Sequence, residues 1–328
     1  MKLFDKRDYT INWMKYRKVG YTISILMLLI SFVAFGVRGL NYGIDFNGGI
    51  LLEVTKSDTV DIAQVRDELS FLKDLSIQSV GTDGTGLLIQ TLGEEGQTGE
   101  QSVAHIKSVL GPDYTYDRIE VIGPRVGEEL KTKSLLASVL ALLAISVYIW
   151  FRFEWPFAIG CLASLAHDLI ITVGFFSLFD LDFDMVVVAG LLSLAGYDCN
   201  DSVVTYDRIR EWIKKDKKMS IDALLNKGIN ETLSRTILTS LTTLLVLIVL
   251  LFMGGETLYG FSIAMTVGVV LGTYSSFFVA VPLLRYFNIR TIGTKVEEVG
   301  PYAEAGKYEM EAKKQPLPPY SKCGGRCR

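Results

Sequence analysis

The feature of this sequence that most restricts its fold is a set of six apolar stretches, each long enough to cross a membrane as a helix. The hydrocarbon core of a bilayer is roughly 30 Å thick, which a helix of about 20 residues spans. The stretches cover residues 20–38, 134–152, 157–179, 185–206, 234–253 and 259–284. Charged residues still make up 21% of the 328-residue chain, so water-exposed segments must alternate with the spans. The sequence predicts a polytopic α-helical membrane protein with six transmembrane helices.

The distribution of lysine and arginine predicts how these spans are oriented, because cytoplasmic loops retain positive charge. Three segments are rich in basic residues: the leader 1–19, the loop 207–233 and the tail 285–328. The short loops 180–184 and 254–258 contain none. Both termini are therefore expected in the cytoplasm, with the leader uncleaved because it lacks a clear cleavage site. The segment 39–133 falls on the outer side.

The outer segment is predicted to fold as a small α+β domain. Short apolar runs separated by turn residues indicate strands, and two segments have helical spacing, the first of which Asp61 is placed to cap. The predicted order is strand, helix, strand, strand, helix, strand, which is the ferredoxin-like pattern. His105 lies in the second helix, where no nearby pattern predicts a catalytic role.

Ionisable residues inside the apolar stretches are the main candidates for function. A charge at the centre of a bilayer costs about 2.5–3.5 kcal/mol on insertion scales, so each such residue is a functional candidate by default. His167 and Asp168 lie about 15 Å inside the third span, near its middle. The fourth span contains Asp198 and Asp201, and the fifth opens with Arg235. We predict that these five residues take part in proton coupling.

Depth in the membrane predicts which of these side chains can meet. Asp201 and Arg235 both lie in the inner third of the bilayer, so they are expected partners. Asp198 lies three residues before Asp201 on the same helix face, where two carboxylates oppose joint ionisation. Thr239 and Thr242 extend the polar stripe of Arg235. The alternative is that these charges only pin helices together through buried hydrogen bonds.

Small residues recur every fourth position along the sixth span. They are Gly260, Ala264, Gly268, Gly272 and Ser276. Such a stripe lets two helix backbones approach closely, so we predict helix packing and no chemistry for it. Gly190 is expected to have the same role.

What the sequence lacks excludes several classes of function. A net charge of −3 provides no basic patch for nucleic acid. Two histidines and four cysteines do not form a metal site, with Cys161 and Cys199 in apolar runs and Cys323 and Cys327 expected to be free thiols in the tail. Zinc-protease, serine-hydrolase and Walker A motifs do not occur, so neither an enzyme nor a cofactor is expected. The expected energy source is an ion gradient, worth about 2.3 kcal/mol per charge per 100 mV, with protons as the coupling ion.

Five motifs together resemble the SecD/SecF family of protein-export membrane proteins, and within it the SecF members. NYGIDFNGG follows the first span, RFEW precedes the third, and SLAHD lies within the third. GYDCNDSVVTYDRIRE crosses the end of the fourth span, and SRTILTSLTT opens the fifth. The resemblance runs from about residue 20 to 290 and keeps the order and spacing of the motifs.

This resemblance implies a subunit of a SecDF complex in the bacterial inner membrane, within the resistance-nodulation-division superfamily. Such a subunit pairs with SecD to give twelve spans with pseudo-two-fold symmetry. The complex uses the proton motive force to promote late steps of protein translocation. The implied partners are SecD, the SecYEG translocon, YajC, YidC and the translocating preprotein, in addition to the lipid bilayer.

The resemblance also implies roles for single residues. The functional charges of the family fall on Asp201 and Arg235, with Asn200 and Ser202 flanking the acid. The chain departs from the family at Asp198, where serine is usual, and at Cys199, where an aliphatic residue is usual. The additional carboxyl group either alters proton coupling or faces a water-filled gap and does little.

Two further functions are compatible with the sequence. One is a scaffold for SecD or the translocon that conducts no protons itself. The other is a small-molecule exporter of the same superfamily, although the modest size of the outer domain argues against it by analogy.

Overall fold

The computed structural model describes residues 11–80, 84–94, 97–287 and 289. The expectations for residues 1–10 of the leader and for most of the tail, including Cys323 and Cys327, lie outside this part of the chain. Long helices form a bundle, and a small mixed domain is inserted between the first and the second of them.

The elements follow in chain order. They are α1 (Trp13–Arg38), β1 (Asn41–Tyr42), α2 (Ile44–Asn47), β2 (Gly49–Lys56), α3 (Ile62–Glu68), β3 (Ser76–Val80), β4 (Gly86–Thr91), α4 (Gly99–Leu110), β5 (Tyr114–Ile122), α5 (Pro124–Arg152), α6 (Trp155–Phe179), β6 (Asp182–Phe183), α7 (Met185–Lys215), α8 (Ile221–Met253), α9 (Gly255–Ser275), a π-helical turn (Ser276–Ala280), α10 (Val281–Leu283) and a final 3₁₀ turn (Leu284–Tyr286).

Five helical segments among the described residues are long and apolar enough to cross a membrane. They are α1, α5, α6, α8 and the continuous segment from α9 to the final 3₁₀ turn. The predicted fourth span, 185–206, forms the first part of α7. Asp198, Asn200 and Asp201 lower the hydropathy of this helix, so it does not meet the same criterion. A sixth crossing therefore stays a prediction.

The inserted domain contains a four-stranded sheet with the strand order β3-β4-β2-β5, in which all neighbours are antiparallel. The order of elements along the chain is the predicted strand, helix, strand, strand, helix, strand. Asp61 caps α3 as predicted, because its side chain accepts a hydrogen bond from the amide of Ala63 at 2.9 Å. A bulge at Glu53 and Val54 shifts the register between β2 and β5.

One face of this sheet is covered by α3 and α4, and the contact forms a core of its own. Leu52 and Ile89 on the sheet are fully buried, as are Leu69 after α3 and Ile106 on α4. Burying side chains of this size contributes about 1.5–3 kcal/mol each relative to leaving them in water. The domain is thus held by its own apolar contacts, apart from those of the helical bundle.

The inserted domain, called the outer domain below after its predicted side of the membrane, is tied to the bundle at the turn between α6 and α7. In this turn β6 pairs in parallel with β1, which brings Asn41 opposite Asp182. The Gln90 side chain on the sheet donates to Asp182 at 3.0 Å, and the amide of Met185 donates to Asp45 at 3.0 Å. These contacts join the α6–α7 turn directly to the outer domain.

Two successive glycines place the outer domain against the helices. Gly48 has a φ of +73°, and a Cβ there would lie 2.8 Å from the backbone of Pro124 at the start of α5. Gly49 has a φ of +140°, and its Cβ would lie 2.8 Å from the carbonyl oxygen of Thr91. Only glycine combines these conformations with such close contacts.

The small residues of α9 pack against α7, as the sequence predicts. A Cβ at Gly268 would lie 2.2 Å from the Leu194 side chain, and one at Gly260 would lie 2.7 Å from Val187. Gly190 of α7 faces Ala264 in return. The backbones of the two helices can therefore approach closely, which brings polar side chains on α7 next to α9.

Candidate functional site

Ionisable side chains from two helices converge inside the bundle with hydroxyl groups of a third. Asp168 lies on α6, and Asp198 and Asp201 lie on α7. Their exposed fractions are 0%, 2% and 5%. Carboxyl groups this deeply buried require hydrogen bonds or protons to be tolerated.

Asp168 is the most completely bonded of these acids. One carboxylate oxygen lies 2.8 Å from Nδ1 of His167, and the other accepts a hydrogen bond from the hydroxyl group of Ser275 on α9. Ser164 extends this chain, since its hydroxyl group donates to Ser275 Oγ at 2.9 Å. The Asp168 carboxyl group is thus held between a histidine ring of α6 and a serine hydroxyl group of α9.

Asp198 brings a second carboxyl group to the same place. It reaches the same turn of α9 as Asp168, which accepts a hydrogen bond from Ser275 of that turn. The Oδ1 atom of Asp198 faces Gly272, where an added Cβ would be only 2.7 Å away, and has no hydrogen-bond partner among the described residues. The packing glycine of α9 therefore makes room for the carboxyl group.

Asp201 lies about one helical turn further along α7. Arg235 on α8 is close enough to act on its charge, but the two form no direct ion pair in the described part of the chain. The Arg235 residue is exposed on the surface of the bundle. Equal depth therefore brings Arg235 near Asp201 without placing its guanidinium group against the carboxylate.

The other predicted polar residues divide into two groups. Ser202 is 1% exposed and its hydroxyl group has no partner among the described residues, whereas Asn200 is exposed on another face of α7. The hydroxyl groups of Thr239 and Thr242 donate to carbonyl oxygens of their own helix at 2.9–3.0 Å. These two threonines therefore do not contact the acids.

Sequence reasoning missed Ser164 and Ser275 as members of this site. Ser164 lies four residues before Asp168, so helical spacing alone would have placed it on the same face. Ser275 comes directly before the predicted packing residue Ser276. The packing of the buried residues Cys161 and Cys199 in one core cluster was also not predicted, because it joins two different helices.

The site offers carboxyl, hydroxyl and imidazole groups, with two buried acids at the same turn of α9. In the part of the chain that the structure describes, no three His, Cys, Asp or Glu side chains are grouped to hold a metal ion. Groups of this kind bind and release protons. The acids lie on α6 and α7, which are joined by the turn that bonds to the outer domain.

Comparison with known proteins finds two family models that match this chain. The family model for the protein export membrane protein SecD/SecF, C-terminal, matches residues 102–290, and the SecD/SecF GG motif matches residues 33–55. The latter match includes Gly48 and Gly49.

Several curated relatives carry the name protein translocase subunit SecF. The protein of Rickettsia rickettsii is 41% identical over 293 residues, which cover 88% of this chain and 95% of the relative. The protein of Pseudomonas aeruginosa is 39% identical over 283 residues, with coverage of 85% and 92%.

The crystal structure of SecDF from Thermus thermophilus, described as a translocon-associated membrane protein, is similar in fold with a TM-score of 0.78 and 32% identity. The match covers 88% of this chain and 40% of that one, so the chain spans well under half of the SecDF polypeptide. These relatives and the two matched family models, together with the buried acids of the bundle, lead to one assignment. The chain belongs to the SecD/SecF family of protein-export membrane proteins, on the SecF side of that family.

Proposed function

We propose that this chain is a proton-driven motor subunit that uses the proton motive force to promote late steps of protein translocation through the Sec translocon. The observation that carries the proposal is the location of Asp168, Asp198 and Asp201. These buried acids lie on the two helices whose connecting turn is bonded to the outer domain. A change of protonation inside the membrane can thus be converted into movement outside it.

The mechanism begins at Asp201. A proton that reaches this carboxylate removes its charge and with it the attraction to Arg235. Helices α7 and α8, which pack along each other, then lose one of the forces that set their relative position. Because Asp182 and Asp45 connect the α6–α7 turn to the outer domain, a shift of the hairpin moves that domain. Release of the proton to the cytoplasm restores the attraction.

A SecD partner is supported by the exposed face of α8. Arg235 lies on this face near the cytoplasmic end of an apolar helix, where an unpaired guanidinium group facing lipid is costly. We propose that SecD covers it and supplies the remaining spans of a twelve-helix unit. The SecYEG translocon, the translocating preprotein, YajC and YidC are proposed as further partners by family resemblance.

We propose six crossings of the bacterial inner membrane, with both termini in the cytoplasm and residues 39–133 outside. In support, α7 is 31 residues long and can cross a bilayer despite its polar residues. Its last two turns contain Arg208, Arg210, Lys214 and Lys215, as expected at a cytoplasmic end. The order of elements and strands in the outer sheet supports a ferredoxin-like domain.

The test is to replace Asp201 by asparagine in vesicles that contain the chain, its SecD partner and the translocon. An imposed proton gradient should stimulate export with the wild-type chain and not with Asp201→Asn, while both chains co-purify with SecD. Asp58→Asn is the matched control, because it removes an exposed carboxylate of the outer domain. Stimulation that survives Asp201→Asn would show that Asp201 is not the coupling acid.

The exposure of Arg235 also favours a second function, that of a scaffold without proton transport. In that case the double replacement of Asp201 and Arg235 by neutral residues would weaken SecD binding and leave proton currents in the remaining complex intact. A motor predicts the loss of those currents.

A further inference from the structure

We infer that Asp168 and Asp198 share a single proton and form a second proton-holding position on the outer side of Asp201. This inference rests on the proposed function for its role in transport, but the shared proton itself follows from the geometry of the two carboxyl groups. The ligand of this position is a proton, and Asp198 is the residue that holds it.

The close approach of the two acids favours a shared proton. Asp168 and Asp198 are 0% and 2% exposed and reach the same turn of α9, where Ser275 donates to Asp168 and Gly272 lies against Asp198. An ionised carboxylate has only acceptor oxygens, and two neighbouring carboxylates away from water oppose joint ionisation. One of the two groups is therefore a carboxylic acid, and the other can be its acceptor.

The surrounding donors show which acid holds the proton. One oxygen of Asp168 accepts a hydrogen bond from the Ser275 hydroxyl group, and the other lies 2.8 Å from Nδ1 of His167, which donates to it in the Nδ1-protonated tautomer. Asp198 has one oxygen without any partner among the described residues. A carboxylate is stabilised by donors, and the better supplied group is the one that ionises. The proton thus belongs to Asp198, which donates to Asp168.

The titratable groups around this pair lie on several helices of the bundle. They are His167 and Cys161 on α6, Cys199, Asp201 and Tyr206 on α7 and Tyr274 on α9, with Arg235 on α8 next to Asp201 and Tyr21 on α1 next to Tyr206. Of these, only Arg235 is a permanent cation, and it acts through Asp201. The buried pair therefore has room for one negative charge but not for two.

The position of the pair defines an order of transfer. Asp198 lies one helical turn before Asp201 on the same face of α7, toward the outer end of the helix. In the transfer step the Asp198 carboxylic acid gives its proton to the Asp201 carboxylate while a proton from the outer side binds to the Asp168 carboxylate. Asp201 becomes neutral, and the Asp168–Asp198 pair keeps one proton and one negative charge throughout. The outer pair would thus load protons, and Asp201 would pass them to the cytoplasm.

Infrared difference spectroscopy on the full chain in complex with SecD tests the shared proton directly. We expect a carboxylic acid band at neutral pH that shifts in heavy water. Asp198→Asn should remove this band, Asp168→Asn should shift it, and Asp201→Asn should leave it in place. A wild-type complex without the band, or a band unaffected by both Asp168→Asn and Asp198→Asn, would overturn the inference.

A milder variant covers the case in which Asp198→Asn does not fold. Gly272→Ala removes no carboxyl group but brings a Cβ to 2.7 Å from Asp198 Oδ1, so it should shift the same band. An unchanged band in Gly272→Ala would contradict the assignment to Asp198. Gly196→Ala on α7 is the matched control, because nothing lies within 4 Å of the added Cβ.

The two proposals can fail separately. If the band behaves as expected but Asp201→Asn retains proton-driven export, the shared proton stands and the proposed motor function falls. If Asp201→Asn abolishes the stimulation but the band survives Asp198→Asn, the motor stands and the shared proton is refuted.

Discussion

Gln90 and Asp182 are 92 residues apart in sequence, yet the Gln90 amide donates to the Asp182 carboxylate at 3.0 Å and joins the outer sheet to the turn between α6 and α7. A hydrogen bond to a charged group contributes about 1.5–3 kcal/mol when it is well shielded from water, and less when it is partly exposed, as here. One substitution at Gln90 therefore removes one defined link between the outer sheet and the turn.

We expect Gln90→Ala to uncouple the outer domain from the bundle. Hydrogen exchange at the amides of β1 and β6 should become several-fold faster, and export stimulation should fall while proton uptake by the vesicles persists. Gln64→Ala on α3 is the control, since its side chain bonds only to Glu68 on the same helix. Equal loss of proton uptake and export would argue against a purely mechanical role for Gln90.

The acid dependence of stability should reflect Asp184, the residue that caps α7 outside the membrane-spanning segments. Burial, with a smaller contribution from the charges of Asp45 and Asp182, raises the pKa of Asp184. A carboxyl group whose pKa is raised on folding contributes stability below its ordinary pKa of about 3.9, and this contribution is lost as pH rises through the folded value.

Asp184→Asn should therefore stabilise the chain at pH 7, because asparagine caps a helix as well as aspartate does and has no charge to bury. We expect a rise in melting temperature of roughly 2 °C, the size that corresponds to less than about 1 kcal/mol in a protein of this length. The gain should disappear when unfolding is measured below pH 4. A gain that is the same at both pH values would exclude titration of Asp184 as its cause.

Packing between α1 and α6 should depend on Gly174. A Cβ at this position would lie 2.2 Å from Cβ of Ser31 and 2.7 Å from its Cα atom, so the two helices would have to separate. We expect Gly174→Ala to lower the free energy of unfolding by about 1–3 kcal/mol, as for other overpacked sites. Gly36→Ala should be neutral or stabilising, because its Cβ meets nothing within 4 Å. Unfolding in detergent with increasing denaturant measures both.

The thiols of Cys161 and Cys199 should resist modification in the folded chain. Their exposed fractions are 1% and 8%, and they belong to the same buried core cluster. In a variant with Cys323 and Cys327 replaced by serine, a water-soluble maleimide should label neither thiol until the protein is denatured. Rapid labelling of Cys199 in the folded chain would instead reveal a water path to the acids.

The sequence predicts the depth of each polar side chain in the membrane better than its direction. Rise per residue follows from helix geometry, and it correctly brings Asp201 and Arg235 within electrostatic range. The rotation of each helix about its axis depends on packing with its neighbours, which single-helix periodicity does not contain. For this reason Arg235 was expected to pair with Asp201 but lies exposed. The close approach of Asp168 and Asp198 was not anticipated for the same reason.

The outer domain was more predictable than the membrane site. Its strands have apolar runs with turn residues between them, and its helix at Asp61 has a cap that the sequence displays. The pairing of β1 with β6 could not be predicted, because two strands of two residues each have no periodicity and are separated by most of the domain and two long helices.

The pairing of β1 with β6 also limits how early during synthesis the outer domain can attach to the helical bundle. Asn41 and Asp182 lie 141 residues apart, so the small parallel sheet closes a loop that contains the whole outer domain and helices α5 and α6. The domain has an apolar core of its own and can fold as soon as its last strand has been made, whereas its attachment must wait for the turn before α7. Contacts of such long sequence separation form late in folding. Attachment of the outer domain is therefore a late assembly step, and the ribosome will have made more than half of the chain before it can occur.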